Sequence, residues 1–348
     1  MIDIKLLEQL CLCNGISGDE GNVRNLIINE IKDCADDIKT DNLGNLIVFK
    51  KGKKSAKSKL MVSAHMDEVG LMVTDITSDG YLKFDEVGGI DRRVLPGKRV
   101  CVGKNGLNGV IGVKPIHLTN GDEKTAVPKM NDMYIDIGAE SREDALKYVN
   151  YGDGINFEGD FKINGKTVVT KALDDRFGCY VLINLIKSEP EYDMYFTFVV
   201  QEEVGLRGAR PAAFTVNPDF ALVIESTTAA DVAEVDASHQ VCNLSKGATV
   251  TVMDRATVYD KEMISAAFEL AEKNNIAVQY KRAVAGGNDS GAIHQSRGGV
   301  RTLAVSLPSR YIHAPSTAAN LDDCESVLKL AKAVSYTHLR AHETLSDL

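Results

Sequence analysis

The stretch Met194-Tyr195-Phe196-Thr197-Phe198-Val199-Val200-Gln201-Glu202-Glu203-Val204-Gly205 decides how this chain is read. Its first seven residues form a hydrophobic run of the kind that makes a central strand covered on both faces. Two carboxylates then follow side by side. An ionised carboxylate buried without a partner costs several kcal/mol, so either the core ends there or cations wait there. Neighbouring side chains in a regular strand point to opposite faces. Glu202 and Glu203 can therefore serve one site only if the strand ends at Glu202, and a strand running on through Val204 would break that reading.

Working outward, the same pattern of short apolar runs ending in polar ligand-type residues recurs. Leu60-Met61-Val62-Ser63-Ala64 reads as a buried strand that stops at His65-Met66-Asp67-Glu68. Strand and helix alternate from about 167 to 334, with helices over 176–187, 260–274 and 322–334 and strands over 194–201, 220–225 and 300–307. Such alternation predicts an α/β fold, a mixed sheet flanked by helices. Before it, a helix over 3–13 and a second one ending near Ile31 are expected. Ser17-Gly18-Asp19-Glu20 reads as a capping box that starts the second helix. Asp41-Asn42-Leu43-Gly44-Asn45 marks a turn between two short strands, and Lys50 to Lys59 a solvated hairpin end. From 69 to 163 the texture changes to short alternating segments broken by glycines, with one helix at about Arg142–Tyr148. This is a small β-barrel-like domain. It is inserted into a catalytic-type domain made of 1–68 and 164–334. The tail, 335–348, does not continue the apolar period and reads as translated adaptor sequence, a non-native end excluded from fold reasoning.

Composition narrows the class. The 348 residues are 44% hydrophobic and 26% charged, with a net charge of −9. That is the make-up of a globular protein and a poor match for a nucleic-acid partner. No apolar run approaches the roughly 18 residues of a membrane span. The start, Met1-Ile2-Asp3-Ile4-Lys5, lacks the features of a signal peptide, so a cytoplasmic protein is expected. Seven cysteines without zinc-ribbon spacing read as reduced thiols, mostly core filler.

Five places at or after predicted strands carry metal-type ligands: His65-x-Asp67, Asp174-Asp175, Glu202-Glu203, Glu225 and His313. Open α/β sheets bind ligands beyond the carboxyl ends of their strands. Imidazole and carboxylate without thiolate suit zinc, cobalt or manganese. Two cations sharing one carboxylate and one water each need two further ligands. A bridging Asp174, with His65 and Glu225 on one side and Glu203 and His313 on the other, fills that scheme. Glu202 is left over as a general base, and Asp67 can hold the second ring nitrogen of His65. Taken singly, each motif has a plainer explanation: a turn pair, a helix cap, a solvated strand end. The weight lies in their joint occurrence.

The chain resembles the M42 metalloaminopeptidases, the family that includes glutamyl aminopeptidases and proteins once described as endoglucanases. The resemblance lies in Ser63 through Gly70, Met133 through Gly138, Ala172 through Gly178, Gln201 through Ala209, Gly286 through Asp289 and Tyr311 through Pro315. It implies a dinuclear zinc or cobalt site with the ligands above, Glu202 as base and Asp67 as a catalytic supporting residue. It also implies peptide substrates cleaved at the N-terminus, a dimerising β insertion, and homo-oligomers from dimer to dodecamer. The chain departs from the family pattern at Thr317, Asn288 and Ser290, near the expected substrate side. Arg255, Lys281, Arg282 and Arg310 are the basic candidates for reading an acidic substrate side chain. Competing expectations are a metal-dependent N-acyl amino acid deacylase, a glycoside hydrolase using two carboxylates, and a catalytically idle scaffold.

Overall fold

A computed structural model describes residues 1–122 and 124–345, with side chains through Tyr336. Three strands come first, β1 (Asp37–Thr40), β2 (Leu46–Lys50) and β3 (Leu60–His65). The next six are β4 (Gly70–Ile76), β5 (Leu82–Val87), β6 (Arg99–Val102), β7 (Leu107–Gly112), β8 (Tyr134–Asp136) and β9 (Gly154–Phe157). They close on themselves as an antiparallel barrel in the order β4-β5-β8-β7-β6-β9. The barrel has its own core, with Leu71, Phe84, Val100 and Ile135 buried at its centre.

The remaining strands rejoin the first three: β10 (Lys162–Asn164), β11 (Thr167–Thr170), β12 (Met194–Val199), β13 (Phe220–Thr228), β14 (Ala248–Val250), β15 (Val278–Tyr280), β16 (Arg301–Arg310) and β17 (Thr317–Asn320). Together they form an eleven-stranded mixed sheet in the order β1-β2-β12-β3-β13-β16-β17-β11-β10, with β14 and β15 added alongside β16. The four strands β12, β3, β13 and β16 run parallel, so their carboxyl ends share one edge of the sheet. Register sets Val199 opposite His65 and Val223 opposite Ser63, which brings Glu225 level with His65.

Helices cover both faces, as the alternation predicts: α1 (Ile4–Leu12), α2 (Gly21–Ile31), α3 (Arg142–Ala145, in the barrel), α4 (Leu173–Lys187), α5 (Ala209–Val216), α6 (Lys261–Lys273), α7 (Ser290–Ile293) and α8 (Leu321–Leu345). The period-two alternation of the central strands assigns the faces. Leu60, Val62, Ala64, Leu222 and Ile224 pack under α1, α2, α4 and α8. Met61, Val199, Ala221 and Val223 pack against α5 and α7. Among the described residues no helix is long and apolar enough to cross a membrane. All seven cysteines are unpaired, and Cys11, Cys179, Cys242 and Cys324 are buried.

Several local expectations are corrected. Lys50–Lys59 is not a hairpin end, because β2 and β3 flank β12 on opposite sides. The segment instead crosses the start of β12, with Gly52 packed so closely on the Tyr192 backbone that a Cβ would stand 2.2 Å from it. The helix in the barrel is shorter than expected, a turn capped by the Ser141 hydroxyl. Strands β13 and β16 run three residues further than predicted, since both stay paired past the site. The expected stop at Val334 is absent: α8 continues to Leu345, Ser335 is buried, and the Tyr336 hydroxyl lies 2.5 Å from Ser188 Oγ. The last tail residues, 346–348, lie outside the described residues.

Candidate metal centre and active site

Strand β12 stops at Val199, and Gln201 has a left-handed backbone with φ of +57°. The chain therefore turns before the carboxylate pair, and both glutamates leave the strand on the same side of the sheet edge. The strand stops three residues before Glu202, so the condition set by the sequence is met early. Asn45 shapes this turn, its Oδ1 accepting from Val200 N at 2.9 Å and its amide donating to Gly208 O at 2.9 Å.

Asp67 organises the carboxylate pair after the turn. It has no exposed surface, and its two carboxylate oxygens accept the amide hydrogens of Glu202 (3.0 Å) and Glu203 (3.1 Å) and the Ser17 hydroxyl (2.6 Å). Burial alone would raise its pKa, but His65 and these donors hold it below the ordinary value. Glu20 supports the same turn from behind, accepting Gln201 N at 3.1 Å and Gly18 N at 2.7 Å. Ser17 and Glu20 thus do not form the capping box that their spacing suggested, and α2 starts without a side-chain cap. Their polar groups are spent on the site.

His65 stands at the end of β3 with 1% of its side chain exposed. Its Nδ1 lies 3.1 Å from the backbone carbonyl of Asp67 and 3.5 Å from the carboxylate. The nearer partner is thus the carbonyl, where the sequence pointed to the side chain. A carbonyl only accepts, so Nδ1 carries the hydrogen and Nε2 is left to face Asp174 Oδ1 at 3.3 Å and Glu225 Oε2 at 3.7 Å. His313 repeats the pattern on the loop after β16. Its Nδ1 lies 3.0 Å from the carbonyl of Gly89, and Nε2 faces Glu203 Oε2 at 3.2 Å and Asp174 Oδ2 at 3.5 Å.

Asp174 lies at the start of α4, where it and Asp175 have non-helical backbone angles and share a cis peptide bond. It presents one carboxylate oxygen to each histidine. Among the described residues, three groups of possible ligand atoms lie within 4.8 Å of one another: His65, Asp174 and Glu225; Asp174, Glu203 and His313; and His65, Glu202 and Glu203. The structure thus brings together all seven residues singled out for the site.

The buried cluster concentrates negative charge that bound protons or a cation would offset. Burial pushes the carboxyls of Glu202 and Glu225 well above their usual range, and neighbouring carboxylates add to the push. Glu203 is raised to about 8 by burial and Asp174. His313 is raised to about 9 although burial opposes it, because Asp174 and Glu203 stabilise the imidazolium. Burial also works to raise Asp174, but the two imidazoles on it prevail and hold it low. Glu225 Oε1 is buried with no hydrogen-bond partner. Four carboxylates and two ring nitrogens, hard and borderline donors without thiolate, fit one or more divalent cations.

Other residues complete the surroundings. Arg176 is wholly buried and donates to the carbonyls of Met66, Leu10, Cys13 and Gly15 and to Glu68, which also pairs with Lys171 at 2.8 Å. Asp289 is fully buried with both carboxylate oxygens unpartnered, and burial raises it to about 7. Both lie in stretches that carry the family resemblance, but no spacing or period marks either as a buried polar group. A pocket of about 230 Å³ opens beside Asp174, Glu202 and Glu225. Of the four basic candidates only Lys281 lines it. Arg310 is held by Asp231 at 2.7 and 2.9 Å, and Arg255 and Arg282 are exposed. Asn288 lines the same pocket, Ser290 is buried, and Thr317 is buried beside Glu203 and His313.

A parallel sheet core that gathers imidazoles and carboxylates at its carboxyl edge defines an α/β protein with an acidic, histidine-flanked centre suited to divalent cations. Comparison with known proteins makes this specific. The M42 glutamyl aminopeptidase family matches residues 44–330. The chain is 43% identical over 327 residues to a protein of Acetivibrio thermocellus provisionally named an aminopeptidase, covering 93% of this chain and 96% of that one. It is 34% identical over 346 residues to the lysyl aminopeptidase of Pyrococcus furiosus, covering 96% and 97%. Among solved structures, the TET1 peptidase of Pyrococcus horikoshii, described as assembling into a tetrahedron or a large octahedral shell, superposes with a TM-score of 0.85 at 39% identity, covering 96% and 99%. The chain belongs to the M42 aminopeptidase family and is a hydrolase of that class.

Proposed function

We propose that this chain removes N-terminal residues from peptides, using two divalent cations, zinc or cobalt, held at the sheet edge. The observation that carries the reading is the placing of Asp174, whose two carboxylate oxygens are shared between the His65–Glu225 group and the Glu203–His313 group. When bound, the cations supply Lewis acidity that polarises the scissile carbonyl and acidifies the attacking water. Glu202 is the carboxylate left outside both groups. It takes the water's proton and passes it to the leaving amine. Asp67, by accepting the amides of Glu202 and Glu203, keeps the base and a ligand in fixed relation. The Asp67 and Gly89 carbonyls each hold one imidazole in the tautomer that presents Nε2.

The test is Glu202→Gln assayed on free aminoacyl-p-nitroanilides. Turnover should fall by about 10²–10⁴, the usual range for general-base loss, while metal analysis shows unchanged content. A wild-type rate would sink the role. Asp174→Asn should instead lose metal. The same reading extends to assembly: a homo-oligomer, as the P. horikoshii relative is described as forming, here with the barrel as the contact between chains. Native mass spectrometry should find multiples of the chain up to twelve, and a monomer at micromolar concentration would contradict it.

A further inference from the structure

We propose that the inserted barrel is itself part of the centre. Its Gly88-Gly89 corner positions Glu203 and His313, so that one of the two cation positions depends on the barrel and the other does not. This rests on the two-cation reading above.

The two halves are built differently. His65 and Glu225 sit on β3 and β13, buried parallel strands of the sheet. Their supports, the Asp67 carbonyl and the strand register, belong to the α/β domain. His313 has no regular element beneath it. It lies on the loop between β16 and β17, with φ of +58° and 38% of its side chain exposed. The hydrogen bond that fixes its ring runs to Gly89, 224 residues away, just past the end of barrel strand β5. Glu203, its companion, is met by the preceding residue. Gly88 has φ of +84°, and a Cβ there would stand 3.2 Å from Glu203 Cβ and 2.9 Å from Val69 Cγ1. A side chain at this corner would press on Glu203 and Val69, and the same turn hands a carbonyl to His313.

Partners that orient ligands typically contribute 10- to 100-fold in metal affinity. Gly88→Ala should therefore weaken one cation by about that factor and leave the other unchanged. The measurement is equilibrium titration of the full-length, chelator-stripped protein with cobalt, followed by metal content and absorbance. Gly97→Ala is the control: the same barrel and a similar left-handed backbone, φ of +78°, but nothing within 4 Å of the added Cβ. It should keep both affinities. In a His313→Ala background, which already lacks that position, Gly88→Ala should cause no further loss. If Gly88→Ala does not fold, Gly88→Ala combined with Val69→Ala removes the clash with Val69 and leaves only the one with Glu203, and the selective loss should persist. Loss of both cations, loss of neither, or equal loss in Gly97→Ala would overturn the proposal. A wild-type protein that takes up no cobalt, or a single equivalent, would instead overturn the two-cation reading itself.

Discussion

Arg176 shows how much of this site depends on a side chain that never reaches it. The guanidinium is fully buried, and its donors are spread over four backbone carbonyls and the Glu68 carboxylate. These acceptors belong to the end of α1 with the loop after it and to the residues just past His65, so one guanidinium ties two separate segments to its own helix α4. A planar group with five donors can do this, and a lysine cannot. Arg176→Leu strands the carbonyls and leaves Glu68 with Lys171 alone. Removal of one partner from a buried ionic network costs about 3–5 kcal/mol, so a matching loss is expected in urea unfolding, with metal affinity reduced as Met66 and Asp67 loosen. Ser17 and Glu20 make the same point with smaller means. Their spacing is that of a helix start, yet their oxygens serve Asp67 and Gln201.

At the scale of elements, function follows from where strands stop. β12 yields to a left-handed residue at Gln201, and that single break turns two adjacent glutamates to one site. β15 matters in another way. It pairs with β14 at the margin of the sheet, and Lys281, the next residue, donates its amide to Val250 O at 2.9 Å, continuing that pairing. This carries the Lys281 ammonium, whose pKa burial lowers, into the pocket beside Glu225. It donates to Ala285 O at 2.8 Å, which leaves ammonium hydrogens for a substrate. A hydrogen bond to a charged group contributes about 1.5–3 kcal/mol. Lys281→Met should therefore lower kcat/KM for glutamyl relative to leucyl p-nitroanilide by roughly tenfold or more. An unchanged ratio would remove Lys281 from side-chain recognition.

For the whole molecule, the acidic centre couples stability to both pH and cations. In the cation-free protein Glu203 is raised from 4.5 to about 8 and His313 from 6.5 to about 9. Both hold their protons more tightly folded than unfolded. The stability they contribute is therefore complete below the unfolded values and is lost as pH rises through the folded ones. Asp174, shifted the other way, matters only in acid, where its contribution falls away. Metal-stripped protein should thus lose thermal stability as pH rises from about 5 to about 9. Ligands must shed protons to bind, so added zinc should raise Tm more at about pH 8.5 than at about pH 5.5. Differential scanning fluorimetry at the two pH values checks both statements. A stripped protein that grows more stable with rising pH would contradict the assignment of the cluster.

The sequence by itself determined the mixed α/β class, the barrel between β3 and the rest of the sheet, and the identity of the seven residues that the fold gathers. These were legible because apolar runs, glycine-broken alternation and ligand-type residues at strand ends are local patterns, each caused by burial or its end. Only the tertiary structure decided that Ser17 and Glu20 leave their helix to hold Asp67 and the turn at Gln201, that Arg176 lies at the centre of a buried network, and that Lys281 alone of four basic residues faces the pocket. Only it showed that Gly89 of the barrel completes His313. Each of these depends on partners more than a hundred residues away in most cases, such as Gly89 and His313 at 224. A hydrogen bond of that kind leaves no period, spacing or composition for a sequence to display. It exists because two elements, each folded for its own reasons, are packed close enough for one donor to find one acceptor.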